Sequence, residues 1–397
     1  MNHPEEVFMD FKKIFDEYEE KRSGQAWAVN DYLAAHPELS GQEVNSAAYL
    51  IDLCRRAGMK TEAPVCGLPT SFCAAAARPA HAKGRMAILC EYDALPGGHA
   101  CGHSANAAMA VLTALALHDM EDMLPYEVDL VGTPDEELHG GKAYMCRENF
   151  FRSYQAAIMD HASSNFSVCC EKFLALNDYI IRFHGQAAHA ASEPWMGRNA
   201  LNGAMLAIHA LDMLRQHLRP ETRLLAIIRS GGAASNVVPD FAEVECCVRH
   251  SDRPYLNSIL PKIMNCFKGA ALATETTYTV EDCGLPFDNL KWNEPGAAAI
   301  RSVMKELDIP FREPDIQSAG SSDVGNVSWQ CPAFHPSMAL SDHYFACHTE
   351  DMVQAVKSPA CRPGIVLGAR VMGHTLLRFM TDPDLMKRIR EDFGKEQ

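Results

Sequence analysis

Apolar residues recur at helical spacing through the first part of the chain. Val7, Phe8, Phe11, Ile14, Phe15 and Tyr18 form one stripe. Helices are predicted over residues 5–37, ending at His36-Pro37, because proline cannot extend the run. A second helix is predicted over 41–57, closed by Gly58. Three short apolar runs follow, at 86–90, 128–132 and 157–159. Each leads into polar residues and then a helical pattern, as buried parallel strands alternating with helices do.

From about residue 174 the rhythm changes. A strand at 175–184 precedes a helix at 198–218. Strands at 223–230 and 241–250, a helix at 254–271 and a strand at 275–282 complete a βαββαβ order, the split motif of a ferredoxin-like domain. The segment after Asn289 returns to helix–strand alternation and ends in an amphipathic helix near 365–380. The expected fold is α/β: a catalytic domain of residues 1–172 and 287–397, with a mostly parallel sheet flanked by helices, and an inserted α+β domain of residues 173–286.

The length of 397 residues supports two domains. The formal net charge of -15 argues against nucleic acid and anionic membranes as partners. The acidic N-terminus lacks a signal-peptide pattern, and no apolar stretch is long enough to span a bilayer, so a cytoplasmic location is expected. The 15 cysteines are odd in number and irregularly spaced, which fits free thiols in a reducing compartment.

Chemistry concentrates at the ends of the three predicted strands, where open α/β sheets bind ligands. Glu91-Tyr92-Asp93, Asp135-Glu136-Glu137 and Asp160-His161 stand there. His99-Ala100-Cys101-Gly102-His103-Ser104 follows a Pro-Gly-Gly turn and opens an Ala-rich helix, whose N-terminus favours a thiolate. Cys101 and His103 can turn to one cation, or serve as a turn with a buried thiol and a capping histidine. The acidic triplet is costly to bury unless cations pair with it, and adjacent glutamates allow one to bind metal while the other takes a proton. A solvated acidic loop is the plainer alternative. His161 and His348, in His-Thr-Glu, extend the set to a mixed Cys/His/Glu site for zinc or manganese.

The ordered segments EYDALPGGHACGH, GTPDEELHGGKAYM, DHASS, FHGQAAHAASEPWMGRNAL and GGAASNVVPDFAEVECCVR, with the late His-Thr-Glu, resemble the aminoacylase-type metallopeptidases of clan MH. They are most similar to the branch with hippurate hydrolase, auxin-conjugate amidohydrolases and the aminobenzoyl-glutamate hydrolase B subunit. The resemblance implies a metal-dependent amidohydrolase acting on N-acyl amino acids or small dipeptides with a free carboxylate. It implies two divalent ions, zinc or manganese, held by Cys101, His103, Glu137, His161 and His348, with Cys101 bridging. Glu136 is then the general base and Asp93 the acid behind the site. His189 steadies the oxyanion in the partner subunit's active site. Asn236 and Arg249 contact substrate, as does the loop with Gly320 and Ser321. A homodimer through the inserted domain, which would also close as a lid, is implied as well.

The chain departs from much of that branch after Cys-Gly-His. Ser104-Ala105-Asn106 replaces an acidic residue and a second histidine, which moves it toward the aminobenzoyl-glutamate and dipeptidase side. Two other readings compete. A thiol hydrolase using Cys101 and His103 leaves the two glutamates unexplained. A catalytically silent metal-binding homologue would have lost the base or a ligand, and none is missing.

Overall fold

The computed structural model describes residues 4–316 and 319–395. The chain divides into two compact units, one ending at Lys172 and resuming at Leu290, the other Phe173–Asn289. In the first unit a six-stranded sheet runs in the order Thr61–Glu62, Phe72–Ala77, Glu127–Gly132, Arg85–Cys90, Ala156–Ile158, Ala333–Phe334. The four strands from Glu127–Gly132 to Ala333–Phe334 are parallel, and the first two pair antiparallel. The register sets Cys90 beside Gly132. The residues after both strands therefore leave the sheet at one edge.

Phe72–Ala77 is a strand the hydrophobic pattern does not announce. Its sequence, FCAAAA, has high helix propensity, yet every residue is buried in the sheet. Burial against the neighbouring strand outweighs intrinsic preference here. A second sheet joins the short strands Phe311–Arg312, Ser167–Val168, Ser337–Ala339 and His161–Ser163, also unannounced because each is only two or three residues long.

The first helix is Pro4–Ala35, stopping before His36-Pro37. The second begins at Val44 rather than Gly41, because residues 41–43 form a turn in which Glu43 accepts a hydrogen bond from the Gly41 amide at 2.7 Å. The Ala-rich helix His103–Asp119 is buried over nearly its whole length. It packs against the first helix, the sheet and the helix Arg362–Thr381. Being apolar all round, it shows no stripe, as a central helix should. A further helix, Pro383–Phe393, ends the unit.

The second unit is a four-stranded antiparallel sheet in the order Thr277–Asp282, Ala175–His184, Phe241–His250, Arg223–Ser230. Helices Ala200–Arg215 and Arg253–Ala273 pack on it, capped by the side chains of Asn199 and Asp252. Ile181, Phe183, Val244, Val248, Leu256, Ile263 and Phe267 form the core. On the edge strand Arg223–Ser230, Leu225 and Ile227 are exposed.

Several ion pairs link the first helix to Arg362–Thr381, one of them through a buried carboxylate. Glu19 is fully buried and bonded to Arg370, while its Oε1 has no hydrogen-bond partner. Burial pushes its carboxyl up to about 7, against the pull of Arg370. Between the ordinary carboxyl value and 7, the folded chain holds a proton that the unfolded chain has lost, so this group's contribution to stability falls as pH rises. At 1.36 kcal/mol per pH unit the fall amounts to about 3 kcal/mol. Glu19→Gln should flatten the decline between about pH 4.5 and 7 by that order, read from urea midpoints. Parallel curves for the two proteins would show that Glu19 stays ionised.

Candidate metal centre and active site

Asp93 follows the strand Arg85–Cys90 and is 1 % exposed. One carboxylate oxygen faces His103 Nδ1 at 3.0 Å. The other accepts from Ser40 Oγ at 2.7 Å and from the Glu137 amide at 2.9 Å. Burial alone would raise its pKa, but His103 and these donors hold it well below the carboxylate range. Asp93 thus fixes the backbone of Glu137 and the ring of His103 together.

The histidine tautomers follow from these bonds. His103 Nδ1 also faces the Asp93 carbonyl at 3.0 Å, so Nδ1 carries the proton. Its Nε2 is buried without a hydrogen-bond partner. It faces Glu91 Oε2 at 3.5 Å and Glu137 Oε1, also buried without a partner, at 3.9 Å. His161 Nδ1 donates to the Ala162 carbonyl at 2.9 Å, leaving Nε2 3.8 Å from Cys101 Sγ. His348 Nε2 lies 3.8 Å from Glu137 Oε2. His103 and His161 each spend one nitrogen on a support and turn the other to the neighbouring donors, the usual arrangement around a bound metal.

Among the described residues four groups could hold a cation, His103 with Glu136 and Glu137 and Glu91 with Glu136 and Asp323 among them, and two share Cys101: Cys101, His103 and His161, and Cys101, Glu137 and His348. Within each, the ligand atoms lie within 4.8 Å of one another. Cys101 belongs to both. Gly102, before the Ala-rich helix, has φ +91°, and a Cβ there would meet Ala162 at 2.6 Å, so the close approach to the His161 strand requires glycine. His348 is held at φ +63°, its amide donating to the Ala100 carbonyl at 2.8 Å.

The residues fit divalent cations on two grounds. Two buried ligand atoms are orphaned, His103 Nε2 and Glu137 Oε1. Glu91 and Asp323 bind the buried ammonium of Lys142, with Glu136 in the same cluster, while Asp93 and Glu137 lie against His103, an excess of negative charge that calls for cations. The expected low pKa of Cys101 at the helix start is not what the protein alone produces. Burial pushes that thiol well up, with His103 pulling against it. Desolvation outweighs the helix end, so the thiolate depends on a bound cation.

Glu136 is half-buried and joins Glu91 and Asp323 in a second cluster, with oxygens within 4.8 Å. Burial first, then Glu91 and Asp323, push its carboxyl well above the usual range. Gly320 and Ser321 precede Asp323, whose carboxylate binds the Lys142 amide at 2.8 Å and ammonium at 2.6 Å. At the departure from the common pattern, Ser104 Oγ donates to Asn30 at 3.0 Å, and Asn106 bridges Glu91 to the Ala162 amide. Glu91, Asn106, Lys142 and Asp323 carry no role that the sequence alone assigns. The signal for Glu91 was present, since Glu-x-Asp at a strand end puts both acids on one side.

In the second unit His189 is exposed. Its Nδ1 accepts from the Ser192 amide at 3.1 Å, so the proton sits on Nε2. Asn236 is adjacent, its carbonyl accepting from Ala190 at 2.9 Å. Arg249 is not. His189 bridges Val237, beyond the Phe241 end of the strand Phe241–His250, whereas Arg249 pairs with Leu176 at the other end. At about 3.3 Å per residue the separation is on the order of 25 Å, too far for one chain to bring all three to one small molecule.

Residues 176–274 match the family described as Peptidase dimerisation domain. The chain is 34% identical to a Xaa-Arg dipeptidase of Mus musculus over 342 residues, 83% of this chain and 79% of the relative. It is 26% identical to the B component of the p-aminobenzoyl-glutamate hydrolase of Escherichia coli, over 92% of this chain and 91% of that one. A dinuclear metal-binding peptidase of the M20 family from Bacillus subtilis shares the fold with a TM-score of 0.69 at 17% identity, covering 91% of this chain and 99% of that one. With its ordered motifs and this ligand geometry, the chain belongs to the aminoacylase-type M20 metallopeptidases of clan MH and is a metal-dependent amide hydrolase.

Proposed function

We propose that the chain hydrolyses the amide of N-acyl amino acids or small dipeptides bearing a free carboxylate, with two divalent cations, zinc or manganese, shared across Cys101. The observation that carries this reading is the pair of triads around one thiol, with Glu136 beside them. Cys101, His103 and His161 would hold one cation, and Cys101, Glu137 and His348 the other. When bound, the cations supply Lewis acidity that polarises the amide carbonyl and acidifies the attacking water.

Glu136 is the general base. Its neighbour Glu137 is assigned to ligation, which leaves Glu136 to accept and return the proton. It takes the proton from the attacking water and delivers it to the leaving nitrogen. Asp93 keeps Glu137 and His103 in place. His189 offers Nε2–H to the oxyanion in the partner's active site, with Asn236 beside it. Arg249 grips the substrate carboxylate, a planar fork suited to two-point contact. The loop with Gly320 and Ser321 backs the substrate.

The distance between Arg249 and His189 supports a homodimer, in which each protomer supplies one end of the inserted domain. The edge strand supports it too, since Leu225 and Ile227 expose 52% and 58% of their surface where a twin strand could pair. All 15 cysteines are free, which supports a reducing, cytoplasmic setting. Among the described residues no helix is long and apolar enough to cross a membrane.

A hydrolysis panel tests the reading: p-aminobenzoyl-glutamate, hippurate, N-acetyl amino acids, and dipeptides with basic and neutral C-terminal residues, with zinc or manganese and with chelator. Cleavage of at least one member, abolished by chelator, is expected; full activity in chelator would end it. Glu136→Gln should keep the bound metal and lose about a hundredfold to ten-thousandfold in kcat; metal lost with activity would make Glu136 a ligand. His189→Ala should lose about a hundredfold to a thousandfold in kcat, and a near-normal rate would remove it from the mechanism.

A further inference from the structure

Among the described residues, Lys142 is a buried cation at the site that the proposed chemistry leaves unused. Lysine is almost never fully buried unless paired, and Lys142 is 0% exposed. Its Nζ donates to Glu91 Oε1 at 2.5 Å and to Asp323 Oδ1 at 2.6 Å. Its backbone amide donates to the other oxygen of Asp323. The third member of that carboxylate cluster is Glu136.

Local sequence brings the lysine there. After Glu136 and Glu137 the chain turns through His139-Gly140-Gly141, and the amides of Gly140 and Gly141 both donate to the Asp135 carbonyl, at 2.9 and 3.1 Å. A Cβ on Gly141 would lie 1.9 Å from the Pro134 carbonyl oxygen, so only glycine lets the helix Gly141–Arg147 start against the strand end. Lys142 is its second residue and returns to the cluster containing Glu136, six positions earlier.

We infer that Lys142 is a built-in cation, occupying what would otherwise be a further metal-binding cluster of Glu91, Glu136 and Asp323, and that it positions the Glu136 carboxylate for proton transfer. The inference rests on Glu136 being the base. Three carboxylates with oxygens this close repel one another, and in a cavity that already gathers divalent ions such a cluster would capture another. A divalent ion there would tie up Glu136 as a ligand. An ammonium offsets part of the repulsion, cannot be exchanged away, and has two N–H groups committed to Glu91 and Asp323. Glu136 then feels the charge while staying available for the proton.

A double-mutant cycle on the metal-loaded enzyme tests this, using whichever substrate of the panel is cleaved. Lys142→Met, nearly equal in volume, should keep two bound ions per chain and a KM within about threefold, and should lower kcat by about a hundredfold, the scale of a misplaced catalytic group. In a Glu136→Gln background the same substitution should lower the residual kcat less than about threefold, because it acts through Glu136. A folded, metal-loaded Lys142→Met with kcat within about threefold of wild type overturns the inference. So does an equal loss in both backgrounds, which marks a merely structural lysine. Should Lys142→Met not fold, Asp323→Asn keeps the side-chain shape and loosens the clamp; it should cost at least about tenfold in kcat, with the same non-additivity, and full additivity overturns the inference. Near-normal turnover of Glu136→Gln alone would instead sink the assignment of the base, separately from anything Lys142 does.

Discussion

The site depends on one buried carboxylate. Asp93 meets the His103 ring, the Glu137 amide and the Ser40 hydroxyl within 3.0 Å. Through these contacts it couples the end of one strand, the start of the central helix, the acidic turn and the segment before the second helix. An ionised group at 1% exposure is tolerated only when its hydrogen bonds are complete. Moving any one partner would leave the charge uncompensated. The ring tautomer of His103 and the direction of Glu137 are thus set before any cation arrives, which is preorganisation of the kind that catalysis needs.

Around that anchor the charge balance is deliberately incomplete. Glu91 and Asp323 bind the one lysine with Glu136 beside them, Asp93 and Glu137 lie against His103, and burial disfavours the nearby thiolate until a cation comes. A protein that sets so much negative charge at the ends of parallel strands stabilises its bound form more than its empty one. Lys142 meets part of this charge directly, at Glu91 and Asp323.

Much of this was legible in the sequence, and the reasons are physical. Periodicity finds the long helices and both wide strands of the inserted unit, because 3.6- and 2-residue repeats persist over many positions. Of the five ligand candidates, Glu137 and His161 stand where predicted buried strands end, Cys101 and His103 where a predicted helix begins, and the set as a whole came from the family resemblance. What escaped is short or contrary to propensity: FCAAAA as a strand, and two-residue strands paired with distant partners. Lys142 escaped because a lysine after two glycines reads as a helix start. Only the fold shows that its head lies among carboxylates from residues 91 and 323. Arg249 and His189 share one domain in the sequence, and the register alone reveals that they stand at opposite ends of one strand.

The two ligand triads differ in their access to water. His103 is sealed, while the His348 side chain is 58% exposed on a loop held at positive φ. Ion exchange begins where solvent can displace a ligand, so the His348 side is the kinetic door of the cluster. Under the proposed assignment, a chelator would reach an ion held by Cys101, Glu137 and His348 before one held by Cys101, His103 and His161.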